Sequence, residues 1–266
     1  MIRRSGASWI LAIGAAALVA CGGGGGNAPS SAPPAVPSAD INLLFMGNSH
    51  TGVNDVPGMV AQMVRAARPT KTVAAVEAPG WMFLGERAHD EPSLQLLRAG
   101  HWSFVVLQAQ EYSSSGLVHY PTDGAEALVR MASDAHAVPI LFPEWPRLGI
   151  NESQRIYALH VSIAQKQAAC VAPIPQAFDL AAVRAPGVVL HAADGNHSSP
   201  AGAFLAALVI ATTMTLTPPD TLPDFPAVAV DGPTQQRLRA VAAETVLANP
   251  PRQWCPAAPV LSARGG

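Results

Sequence analysis

The sequence predicts an α/β fold, a five-stranded, mainly parallel sheet sandwiched between helices on both faces. Two observations predict it. Short apolar runs that read as strands alternate five times with segments of helical spacing. The polar, chemically versatile residues cluster just after those runs, where the carboxyl ends of a parallel sheet form a ligand-binding rim.

The first strand is Ile41-Asn42-Leu43-Leu44-Phe45-Met46, bounded by Gly47. Asp55 then caps a helix whose first turn holds Pro57. It continues through Met59, Val60, Met63 and Val64, whose spacing assigns them to the core. Thr72 to Val76 is the second strand and Ser103 to Leu107 the third. A helix from about Gly124 to His136 leads to the fourth, Val138 to Phe142. Asn151 opens a helix over about Glu152 to Ala169, and a fifth strand follows near Val171 to Ile174. Ala203 to Met214 is an apolar helix. A proline-rich connection, Asp220 to Pro233, joins it to a last helix near Thr234 to Leu247.

The 266 residues suffice for one domain with a well-buried core. With 49% apolar and 13% charged residues, the chain does not have the composition of a disordered protein. The net charge is −2 and no basic stripe is present, so nothing favours a nucleic-acid partner.

The N-terminus reads as an export signal over residues 1–20: Arg3 and Arg4, then an apolar run from Trp9 to Ala20. Leu18-Val19-Ala20-Cys21 resembles the lipobox of bacterial lipoproteins, which implies cleavage before Cys21 and its acylation. Residues 21–39, rich in Gly, Pro, Ser and Ala, form a tether holding the domain at 40–249 clear of a membrane. The expected location is the periplasmic face or the outer membrane, and Gly22 after the lipidated cysteine tilts it toward the outer membrane. Residues 250–266 read as an irregular tail. In an oxidising compartment Cys170 and Cys255 are either a disulfide pinning that tail or two idle thiols.

Several reactive residues follow strands. Gly47-Asn48-Ser49-His50-Thr51 places a serine in a turn directly after the first strand. A serine hydroxyl becomes nucleophilic when a base takes its proton. Asp194-Gly195-Asn196-His197 supplies such a base, with an acid three residues before it to hold one imidazole tautomer. Gly80 follows the second strand, Gln108 and Gln110 the third, Glu144 and Trp145 the fourth. Asn54 and Asp55 read as loop and cap residues, and His50 as a structural hydrogen-bonder of the turn. His89-Asp90 has no ligand cluster beside it and reads as a solvated loop, so neither metal nor organic cofactor is expected.

Together these blocks resemble the SGNH (GDSL-like) hydrolases, and most closely a bacterial branch carrying Gly-Asn-Ser-His-Thr and a Leu-Gln-x-Gln segment. The resemblance covers Ile41 to about Leu216. It implies a flavodoxin-like three-layer α/β/α sandwich and hydrolysis of acyl esters, often acetyl esters of carbohydrates. It also implies a Ser49–His197–Asp194 triad, with an oxyanion hole made by the N–H groups of Ser49 and Gly80. The family's third block, Gly-x-Asn-Asp, is replaced here by Leu107-Gln108-Ala109-Gln110-Glu111, so a third donor falls to Gln110 or Gln108, with Gln110 favoured. Trp81, Trp145 and Glu144 are candidate substrate contacts, the indoles as walls for a sugar. The expected partners are an ester substrate, such as an acylated glycan, and the membrane through the lipid anchor. Two other functions fit the same residues: a non-catalytic glycan-binding surface lipoprotein, and an acyltransferase.

Overall fold

The computed structural model describes residues 36–257. The signal segment, Cys21, the tether up to residue 35 and the tail beyond residue 257 lie outside the described residues.

The strands are β1 (Ile41–Met46), β2 (Val73–Glu77), β3 (Phe104–Gln108), β4 (Val138–Phe142) and β5 (Cys170–Val171). They form one sheet in the order β2-β1-β3-β4-β5, and every pairing is parallel. Because a strand's side chains alternate between faces, β1 feeds two cores. Leu43 and Phe45 join Val106, Ile140 and Phe142 on one side. Leu44 and Met46 join Val105, Leu107 and Leu141 on the other. The sheet is therefore buried on both faces, which is why its strands read as continuous apolar runs.

On the first face lie α2 (Val56–Ala67), α7 (Ile174–Arg184), α8 (Pro200–Thr215) and α9 (Gly232–Ala248). Helix α8 packs between α2 and α9. It is buried along its whole length from Gly202 to Thr215, as a helix apolar all round must be. The opposite face carries α4 (Glu91–Ala99), α5 (Asp123–Asp134) and α6 (Ser153–Lys166). Two four-residue helices, α1 (Ser49–Gly52) and α3 (Leu84–Arg87), sit in the turns after β1 and β2.

Strand β5 and helices α7 and α4 differ from the sequence expectation. The fifth strand is only Cys170–Val171, and Ile174 opens helix α7, whose first turn holds Pro175. The apolar run continues into a helix because proline suits a first turn and cannot donate to a strand ladder. Helix α4 was not expected at all, although Asp90 caps it through the Ser93 N–H and Pro92 occupies its first turn.

Cys170 and Cys255 are disulfide-bonded, with Cα atoms 4.1 Å apart. Beside the bond, the Val171 N–H donates to the Pro251 carbonyl at 3.0 Å, so the segment after α9 is fastened to β5. The bridge closes a loop of 85 residues containing α7, α8 and α9. Replacing both cysteines by serine is expected to cost about 2–5 kcal/mol of stability, read as a fall in denaturation midpoint.

Candidate active site

The strand order reverses between β1 and β3, whose neighbours were laid down in opposite directions, and the crevice at such a switch point is where ligands settle in open α/β sheets. Ser49 begins α1 immediately beyond β1. Asp194 and His197 lie in the loop between α7 and α8. A cleft of about 360 Å³ opens over this end of the sheet, lined in part by Asn48, Ser49, Gln110, Glu144, Asn196 and His197.

The three residues are brought together. His197 Nε2 stands 2.9 Å from Ser49 Oγ, and His197 Nδ1 stands 2.5 Å from Asp194 Oδ2. With Nδ1–H donating to the carboxylate, Nε2 is left to accept the serine proton. The other Asp194 oxygen accepts the backbone N–H groups of Asn196 and His197, each at 2.9 Å. The imidazole bond, then these two N–H groups, hold the Asp194 carboxyl well below the usual carboxylate range.

The loop carrying His197 is fixed from several sides. His191 pairs with Ser198 across a short antiparallel bridge. Trp145 Nε1 donates to the Asn196 carbonyl at 2.8 Å, and Asn54 Nδ2 donates to the Ser198 carbonyl at 2.9 Å. Any Cβ at position 202 would stand 2.1 Å from the Leu190 carbonyl oxygen, so Gly202 lets α8 start hard against this loop. His50 is buried, and its ring lies 5.2 Å from that of His197 and 5.1 Å from that of Trp145. Burial, followed by the neighbouring His197, pushes the His50 imidazole down to about 4, so a neutral ring backs His197 at neutral pH.

The turn that presents Ser49 is held from below by Gln108. Its Oε1 accepts the Asn48 N–H at 2.9 Å and the Thr51 hydroxyl at 3.0 Å. Its Nε2 donates to Glu144 at 2.7 Å. Gln110 donates from Nε2 to the carbonyls of Glu111 and Pro121, at 2.9 and 3.1 Å. Both amide hydrogens of Gln110 are thus taken, and Gln108 is fully buried and does not line the cleft, contrary to the expectation that one of them serves the oxyanion. Ala109, at a φ of 77°, breaks the extended path between the two glutamines. The N–H groups of Ser49 and Gly80, in contrast, meet no protein acceptor among the described residues. The same is true of Asn48 Nδ2, while its Oδ1 takes the His50 N–H at 3.0 Å.

The expected aromatic walls are also corrected. Trp145 is 1% exposed, stacked on Phe178, and belongs to the core under the triad. Trp81 is 60% exposed, donates to Glu77, and does not line the cleft. The aromatic rings that do line it are Phe83, Tyr112 and Tyr120. Sequence reading passed over them because Tyr112 and Tyr120 lie in the long connection between β3 and α5, and Phe83 in the turn before α3, with no periodic signal.

Glu144 does line the cleft, but its partner is Gln108 rather than Arg147. Arg147 is bound instead to Glu152, which also accepts from the Tyr112 hydroxyl at 3.1 Å. Burial, with added repulsion from Glu152, pushes the Glu144 carboxyl up to about 7 against the opposing pull of Gln108. A carboxyl whose folded value lies above its unfolded value of 4.5 supplies stability below about 4.5 that is lost as pH rises through about 7. His50 and His160, both held down to about 4 mainly by burial, gain stability as pH rises over the same range, so the loss at Glu144 opposes theirs, and Glu144→Gln, which keeps an acceptor for Gln108, is expected to make the melting temperature rise more steeply between about pH 4.5 and 7.

No protein-family model matches the chain, and no curated protein does. Among solved structures, the chain is similar to a protein from Slackia heliotrinireducens provisionally assigned to the SGNH hydrolases. The two share 30% identity over 65% of this chain and 98% of that one, with a TM-score of 0.51. A DUF4886 family protein from Bacteroides uniformis shares the fold at 15% identity and a TM-score of 0.59, over 79% of this chain and 95% of that one.

Proposed function

The chain belongs to the SGNH hydrolase family, and from that premise we propose that it is a serine esterase using Ser49, His197 and Asp194. The observation that carries this reading is the unbroken hydrogen-bonded series from Asp194 through His197 to Ser49, at the foot of an open cleft. His197 takes the proton as Ser49 Oγ attacks an ester carbonyl, and Asp194 stabilises the imidazolium. The oxyanion is received by the N–H groups of Ser49 and Gly80, with Asn48 Nδ2 the unspent side-chain amide beside them. One such donor is worth roughly 3 kcal/mol in the transition state. The imidazolium returns its proton to the leaving alcohol, and water, activated by the same imidazole, releases the acid.

The cleft supports a polar alcohol portion. Glu111, Tyr112, Ser114, Tyr120, Glu144 and Arg147 offer hydroxyls, carboxyls and a guanidinium. That suits a short-chain ester of a carbohydrate better than a fatty ester. The N-terminal signal features support such activity outside the cytoplasm, on a domain tethered to a membrane through Cys21.

Hydrolysis of p-nitrophenyl acetate and of acetylated sugars tests the reading. Turnover with a preference for short acyl groups is expected. One observation favours a second reading, a glycan-binding lipoprotein: Gln110 has both amide hydrogens bonded to carbonyls, and Gln108 is buried away from the cleft. Glycan binding with no turnover of any ester would select it.

A further inference from the structure

We propose that Arg87 is the positioning residue of the oxyanion hole, setting the nucleophile turn and the Gly80 turn in register with each other. The inference rests on the reading of Ser49 and Gly80 as oxyanion donors. Arg87 closes the short helix α3 and is 0% exposed. A buried cation is costly unless its hydrogens are taken up. Here three backbone carbonyls and one hydroxyl take up the Nη hydrogens, while the Nε hydrogen meets no acceptor among the described residues. Nη2 donates to the carbonyls of Gly47 at 2.7 Å and Gly80 at 2.5 Å. Nη1 donates to the Pro79 carbonyl at 3.2 Å and to Ser93 Oγ at 2.7 Å. The Ser93 hydroxyl in turn donates to Asp90 at 2.5 Å, so the counter-charge sits one residue away and does not compete for the guanidinium.

The consequence follows from peptide geometry. In a planar trans peptide the C=O and N–H point in opposite directions. Capturing the Pro79 oxygen therefore turns the Gly80 N–H away from Arg87, and it is left without a protein acceptor among the described residues. Capturing the Gly47 oxygen turns the Asn48 N–H away, where Gln108 Oε1 receives it at 2.9 Å. The Gly47–Asn48 peptide, one before the peptide that carries the Ser49 N–H, is thus gripped at both ends, by Arg87 on its oxygen and by Gln108 on its nitrogen. Gly80 sits at a φ of 72°, so its turn is a conformation that must be held rather than one the chain adopts by default. One planar, forked side chain spans all of these carbonyls; a lysine, with a single point of charge, does not.

The full-length protein with Arg87→Lys, and with Arg87→Met, tests this. Arg87→Lys is expected to lower kcat on p-nitrophenyl acetate by about 10²-fold with KM within about threefold, because positioning acts on the transition state. Affinity for methylboronic acid, which forms a tetrahedral adduct on the serine, is expected to fall in parallel. Arg87→Met is expected to lose more, with Lys as partial rescue; if the Met variant does not fold, the Lys variant decides. A folded Arg87→Lys protein with unchanged kcat, or with a loss lying wholly in KM, or with unchanged boronate affinity, overturns the proposal. If instead Ser49→Ala retains full activity, the nucleophile assignment itself is at fault.

Discussion

Replacing Ser49 or His197 by alanine is expected to lower kcat for p-nitrophenyl acetate by roughly 10⁴- to 10⁶-fold, and the double variant to be little worse than either single one. The size follows from the role of each group. Without the hydroxyl no acyl-enzyme forms. Without the imidazole, the hydroxyl keeps its proton at neutral pH and the alcohol leaves unprotonated. Because both act on the same proton, their losses do not add. Asp194→Asn is expected to cost up to about 10⁴-fold, since an amide facing Nδ1 favours the tautomer that puts a hydrogen on Nε2, toward the serine. Asp194 is half exposed, and its other oxygen also binds two backbone N–H groups, so this variant should in addition loosen the loop.

The second large effect is expected at Gly47. A Cβ there would stand 2.2 Å from Thr51 Oγ1 and 2.6 Å from Gln108 Oε1. Its backbone φ is not positive, so the glycine is required for space and not for backbone freedom. Gly47→Ala must push Gln108 away from the Asn48 N–H or open the turn. Overpacking of this kind costs about 1–3 kcal/mol of stability. Displacing the serine by about 1 Å costs on the order of 10²-fold in rate. Both are read on one sample, by a denaturant melt and by kcat; a variant with full kcat would show the turn to be more pliant than the structure implies.

These two positions also mark how far sequence reading went. The strands of the sheet and helices α2, α8 and α9 were legible because burial leaves long apolar runs in the strands and in α8, and because Asp55 and Pro57 announce α2. Helix α7 was hidden, since its apolar start continues the β5 run and periodicity does not separate the two over so short a span. At the site, Ser49, Asp194 and His197 stood out as residue types at meaningful spacing. Arg87 and Glu152 did not, because a lone charged residue in a polar stretch reads as solvated, and only the fold reveals that both are buried. Gln108 was seen but given the wrong task. Its amide could have served the oxyanion or the turn, and the choice is made by Ala109, whose left-handed backbone no propensity scale anticipates. Trp145 was misplaced for a related reason: the strand position was right, but the indole turns down onto Phe178 instead of up into the cleft.

A fluorophosphonate probe, with the labelled residue located by mass spectrometry, tests the central claim most directly. Labelling confined to Ser49 in the intact protein, and abolished by His197→Ala in a protein that remains folded, is the predicted result. Labelling at another residue, or undiminished labelling of Ser49 without His197, would contradict the account.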